Sequence, residues 1–177
     1  MTSAIVSLII LALIAFWCIR TVNDFKKKEI RVQEGLSGVE VALTKRYDKL
    51  VKMLDTAKGY MAHESELFTK VIELRHGMSI AEMNDAQRQM DTLSVRFFAV
   101  AENYPELRSS SVLAELQRSI RDAEEHLQAA RRLYNSNVTA YNTAIAMFPA
   151  KLLAGPRQPK EFFAAEAGKR EDVKMTF

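Results

Sequence analysis

The sequence predicts an all-α protein in which an N-terminal transmembrane helix continues into an antiparallel up-down bundle of three to four long helices. Three observations lead there. Residues 1–19 carry no charged side chain and are dominated by Ala, Ile, Val, Leu, Phe and Trp. Glycine and proline are few, 6 and 4 in 177 residues, and they are bunched. Between those bunches apolar residues recur every seven positions with a three–four split, the spacing of a helical stripe that packs on another helix.

The first element is the anchor, residues 1–20, with the apolar run from Ala4 to Ile19 at its centre. A nineteen-residue helix is about 28 Å long, close to the ~30 Å hydrocarbon core of a bilayer. A cleaved signal peptide would carry its positive charge before the run and small residues at its end. Here the run ends in Phe16-Trp17-Cys18, and the basic residues follow it. Arg20, Lys26, Lys27, Lys28 and Arg31 stand in the juxtamembrane segment, residues 21–34 and the arginine before it. The positive-inside rule therefore expects the N-terminus outside and the body in the cytoplasm, with Arg20, Lys26, Lys27 and Lys28 near lipid headgroups. Trp17 suits the headgroup level.

Charge excludes one class of function. Lys and Arg number 25 against 22 Asp and Glu, a net charge of +3. The stretch from Arg20 to Arg31 holds five basic residues against Asp24 and Glu29, which accounts for the whole excess. The body is neutral overall, so the sequence pI of about 9.0 does not mark a nucleic-acid binder. One cysteine, Cys18, leaves no internal disulfide framework and no cysteine-based zinc site.

The bundle is expected over residues 35–149. Leu36, Leu43, Leu50 and Ala57 recur at seven, with Tyr47 and Leu54 in the companion seam. The stripe resumes out of phase at Tyr60, Leu67 and Leu74, which predicts a first helix running to about residue 76 with a bend or break near Gly59. After His76-Gly77, Ser79 and Glu82 have the spacing of a capping box. They open a helix carrying Ile80, Met83, Met90, Leu93, Phe97 and Val100 that ends at Tyr104-Pro105. Leu113, Ile120, Leu127, Tyr134, Tyr141 and Phe148 then define a helix over residues 110–148, capped by Ser109 or Ser110. The short connections make neighbouring helices antiparallel. Gly155, Pro156 and Pro159 mark the start of an extended tail, residues 150–177.

Several strings also resemble a known family. They are Lys45-Arg46-Tyr47-Asp48, Lys58-Gly59-Tyr60 with His63-Glu64, and Phe98-Ala99-Val100-Ala101-Glu102-Asn103-Tyr104-Pro105-Glu106-Leu107. Ala130-Arg131, Tyr134-Asn135, Tyr141-Asn142, Phe148-Pro149 and Ala154-Gly155 continue the series. Their order and spacing resemble the LemA family of bacterial membrane-anchored helical proteins from about residue 40 onward. Two places depart from it: Gly35-Leu36-Ser37-Gly38 where the family often has a tryptophan, and Lys49-Leu50-Val51-Lys52 where it often has a proline. The resemblance implies a helical bundle on an N-terminal anchor and no established enzymatic reaction. Some members of that family are linked to membrane remodelling and bacterial organelle formation.

The residues themselves offer little catalytic chemistry. Glu73-Leu74-Arg75-His76 has the Glu-x-x-His spacing of a di-iron bundle once, without the second copy such a site needs. Glu64-Ser65-Glu66-Leu67 lacks the second histidine of a zinc protease. No cofactor and no metal site is expected. Arg118, Arg121, Arg131 and Arg132 are balanced by Glu115, Asp122, Glu124 and Glu125, the pattern of a solvated face. Met53, Met78, Met83 and Met90 read as core packing.

The remaining features point to assembly. Gly35 and Gly38 put small residues in a helix, where each costs roughly 1 kcal/mol against alanine, a cost that close helix approach offsets. Asn135 and Asn142 lie beside the core stripe one heptad apart, where a partly buried amide penalises wrong registers. Phe162, Phe163 and Phe177 in the tail need a surface to cover. The expected partners are the lipid bilayer, further copies of the chain in a homo-oligomer and a membrane-protein partner, but no nucleic acid. The leading expectation is a non-enzymatic scaffold at a bacterial membrane. The alternative is a monomeric or dimeric adaptor for a membrane protease or envelope-stress partner.

Overall fold

A computed structural model describes residues 2–61, 63, 74 and 77–163. Among these residues there are four α-helices and no strand: α1 (Thr2–Ala57), α2 (Ile80–Ala101), the one-turn α3 (Pro105–Arg108) and α4 (Ser111–Ala146), followed by a 3-10 turn (Ala150–Leu153). The fold is all-α, as the helical periodicity predicts.

α1 does not run to residue 76. Its last helical residue is Ala57, and the chain turns through residues 58–60, where Tyr60 and Met61 both donate to the Ala57 carbonyl at 2.9 and 3.0 Å. The phase shift beside Gly59 therefore marks a stop, not a bend. Leu67, Glu73 and His76, which the sequence places on a continuing helix or in a metal motif, lie outside the described residues. Gly77 sits at φ 77°, a left-handed conformation that glycine adopts without steric cost. Ser79 then caps α2 with a complete capping box. Its hydroxyl accepts from the Glu82 amide (3.2 Å), and its own amide donates to the Glu82 carboxylate (2.8 Å).

The described residues divide into two compact units. The first comprises residues 2–36 and 133–162; the second comprises 37–132 with Phe163. Within the second unit, Arg46 of α1 pairs with Asp91 of α2 and Glu124 of α4, and Arg131 of α4 bonds Gln87 and Asn84 of α2. Moving from 124 to 131 along α4 thus moves from 91 to 84 along α2, so these helices are antiparallel. Gly77, just before α2, donates to Glu40, six residues before Arg46, so α1 and α2 run the same way. The core between them is filled by Leu43, Leu50, Met53, Met83, Met90, Leu93, Phe97, Leu113 and Leu127, each nearly fully buried. Each such side chain contributes about 1.5–3 kcal/mol by leaving water.

In the first unit α1 and α4 are also antiparallel. Asn137 donates to the Arg31 carbonyl (2.9 Å), and Gly35 lies against Tyr134. Phe25 and Val32 of α1 meet a core shared with Tyr134, Val138, Tyr141 and Ile145 of α4, all buried.

Candidate functional site

Two constellations organise the polar chemistry. In the second unit the buried polar groups among the described residues are Arg46, Arg131 and Gln87. Arg46 is 3 % exposed, and its Nη2 carries both the Asp91 and Glu124 carboxylates, which remain partly open to solvent. Its Nη1 is buried without a hydrogen-bond partner. Arg131, 7 % exposed, donates to Gln87 Oε1 and Asn84 Oδ1, and its guanidinium lies 5.2 Å from the Phe163 ring centroid. The expected solvated face therefore loses Arg131 to the interior. It stands seven residues before Val138 and fourteen before Ile145, a buried seam that begins where the Leu113 stripe's companion changes from the +3 to the +4 position.

In the first unit the polar groups hold the chain that follows α4. After the cis Phe148–Pro149 peptide and the 3-10 turn, Gly155 (φ 59°) reverses the backbone into an extended strap over residues 156–162. Asn142 clamps this strap: its Nδ2 donates to the Lys160 carbonyl (2.9 Å) and its Oδ1 accepts from the Lys160 amide (2.8 Å). Tyr134 donates its hydroxyl to the Glu161 carbonyl (3.0 Å). Arg157 places its guanidinium 5.2 Å from the Phe25 ring and donates to the Ala154 carbonyl, while Lys160 approaches the Tyr141 ring and Glu29.

The electrostatics follow this packing. The Lys26 ammonium, hydrogen-bonded to Glu29, holds that carboxyl below its ordinary value of 4.5, and Lys160 and Arg157 add to the effect. Burial raises the Tyr134 phenol, and the Glu161 carboxylate pushes the same way. Tyr141 is likewise raised, first by burial and then by Glu29.

Gly35 is a close-approach site within the chain, since a Cβ there would lie 3.2 Å from both the Tyr134 Cα and the Asn137 amide nitrogen. Gly38 is not, because nothing lies within 4 Å of its would-be Cβ. Asn142 bonds the strap backbone, not another helix. Asn135, one heptad before it on the same helix face, is half-buried, and its backbone carbonyl accepts from the Thr139 hydroxyl. Phe163 is buried, Phe162 is about half exposed, and Phe177 lies outside the described residues. Arg20, Lys26 and Lys27 are exposed, with Lys28 paired to Asp24. Among the described residues no group of three or more His, Cys, Asp or Glu side chains is placed to hold a metal ion. A cleft between α1 and the start of α2 is lined by Glu40, Leu43, Tyr47, Met78 and Met83, and the Glu40 carboxylate in it is already bonded to Gly77.

The start of α1 has a different character. Its most apolar stretch has a mean hydropathy of 2.5 and none of it is buried by the rest of the chain. By length and composition α1 is able to cross a membrane.

The family model for the LemA family matches residues 35–177, and so covers α1 from Gly35 onward, the later helices and the strap. The chain belongs to the LemA family. A LemA-family relative, Protein LemA of Metamycoplasma hominis, is 25 % identical over 131 residues, covering 71 % of this chain. The match spans 60 % of that relative's own length. The family match begins at Gly35, so the apolar start of α1 lies outside it and is read from its own chemistry.

Proposed function

We propose that this LemA-family chain is a non-enzymatic, membrane-anchored helical protein that self-associates into a scaffold at a bacterial membrane. The carrying observation is the exposed apolar run from Ile5 to Ile19 on a helix that continues unbroken into packed structure at Phe25 and Val32. Such a surface is stable only when covered by lipid or by other apolar helices. The continuous helix favours an anchor retained with the body. The basic flank after the run favours an outside N-terminus and a cytoplasmic body.

Both polar constellations serve architecture in this reading. Arg46, Arg131 and Asn142 tie elements together, and none converges on a cleft with a nucleophile and base. Self-association draws its support from Gly38. It has open space around it, and Val41, three residues on along the same helix face, is 52 % exposed. A small residue beside an exposed valine makes a smooth strip that a neighbouring helix can approach. The test is oxidative crosslinking in native membranes of Gly38→Cys in a Cys18→Ser background. A disulfide-linked dimer is the expected product; only monomer, under conditions that oxidise a control dithiol, contradicts the scaffold and turns attention to the adaptor.

A further inference from the structure

The helical stripe of α4 runs Tyr134, Tyr141, and then Phe148, seven residues on. The first two are buried, yet Phe148 is 79 % exposed, beside Met147 at 60 % and Leu152 at 76 %. This cluster forms a corner where α4 ends and the 3-10 turn begins. It belongs to the same unit as the start of α1, and it meets α1 at a particular level. Met147, Phe148, Ala144 and Ala150 share a shallow cleft with Trp17, Arg20, Thr21, Asp24 and Phe25. Trp17 and Arg20 bracket the end of the apolar run, the level at which a spanning helix leaves hydrocarbon for headgroups.

We propose that this corner is a second membrane contact, in which Phe148, Met147 and Leu152 enter the headgroup–acyl boundary of the same bilayer that α1 crosses. The proposal rests on the reading of α1 as a membrane span. Continuity chooses the occupant: the corner adjoins the one surface of this unit that already requires lipid. Charge agrees, because exposed Lys151 lies between Phe148 and Leu152 in the chain, and exposed Arg20 lines the same cleft. Apolar side chains flanked by basic ones suit an anionic interface. The corner then fixes the tilt and rotation of α1 at its exit, because a helix held at one interface by two separate contacts cannot swivel freely.

The chain's single tryptophan makes the test direct. Three full-length proteins are reconstituted into anionic vesicles containing lipids brominated near the top of the acyl chain. The unaltered chain reports position 17. A Trp17→Phe, Phe148→Trp chain reports the corner, and a Trp17→Phe, Phe162→Trp chain reports a control site. Phe162 follows Glu161, which is held by Tyr134 about 18 Å along α4 from its Ala146 end, away from the apolar run. Interfacial indoles at 17 and 148 are expected to lose about half their emission to the brominated lipid, with little loss at 162. Quenching at 17 but not at 148 overturns the second contact and leaves the anchor standing. No quenching at 17 overturns the anchor, and equal quenching at 148 and 162 overturns the assignment of the corner to a defined depth.

Discussion

Gly35 and Gly38 stand three residues apart on one helix and have opposite surroundings. At Gly35 the backbone of α4 comes so close that a side chain must displace Tyr134 or Asn137, whereas at Gly38 there is open space. Gly35→Leu is therefore expected to destabilise the protein by about 1–3 kcal/mol through overpacking. Gly38→Ala is expected to stabilise it by roughly 0.5–1 kcal/mol through helix propensity alone. Urea unfolding of the two variants in lipid or detergent checks the pair, and equal effects would contradict the close approach. Arg46 poses a related question of size against charge. Its stem and guanidinium fill core space, while Asp91 and Glu124 retain 45 % and 36 % of their side-chain exposure and can rehydrate without it. Arg46→Ala is expected to cost about 2 kcal/mol or more through the cavity it leaves. Arg46→Met, which keeps most of the volume and removes an unpartnered buried N–H, should stay within about 1 kcal/mol of the parent. Comparable losses in both variants would mean that the ion pairs, not the packing, hold the three helices.

At the scale of elements, the strap is the part whose stability is separable from the rest. Two hydrogen bonds from Asn142 to the Lys160 backbone hold it, at about 1 kcal/mol each. In Asn142→Ala the Lys160 amide should exchange with solvent about thirtyfold faster than in the parent, since both bonds are lost and every 1.4 kcal/mol is tenfold. Unchanged exchange would show that packing alone seats the strap. The Tyr134 bond adds a pH dependence. Because its phenol is raised above its ordinary 10.0 in the folded state, the neutral form is favoured there. Its contribution is complete below pH 10.0 and fades as pH rises through the raised value, when the phenolate can no longer donate to Glu161. Strap release on alkaline titration should therefore set in only above pH 10.0 and follow ionisation of Tyr134 itself.

The sequence reveals some of these elements and hides others for definite reasons. The seven-residue stripe from Leu113 to Tyr141 is legible because every member is apolar and buried. The Ser79–Glu82 cap is legible because its chemistry is local. The end of α1 is less so, since a phase shift beside a glycine accommodates a bend and a stop equally well. Buried arginines are hidden by their own charge. Arg46 completes the series Phe25, Val32, Val39, Met53, but it reads as a gap in an apolar stripe. The strap has no periodicity at all, and its clamp pairs Asn142 with a residue eighteen positions away.

At the scale of the whole molecule, a span-length apolar helix leads into helical units whose buried polar groups tie elements together. The LemA family match covers α1 from Gly35 onward, the later helices and the strap, while the anchor is argued from hydropathy and charge. Membrane attachment and self-association together make up the proposed role. Particle mass tests it most directly, measured for the gently extracted full-length chain beside a chain starting at Thr21, which keeps the buried Phe25. Membrane-anchored self-association gives large, uniform, lipid-containing particles from the full-length chain and small ones without the anchor. Small particles of equal mass from both would contradict it.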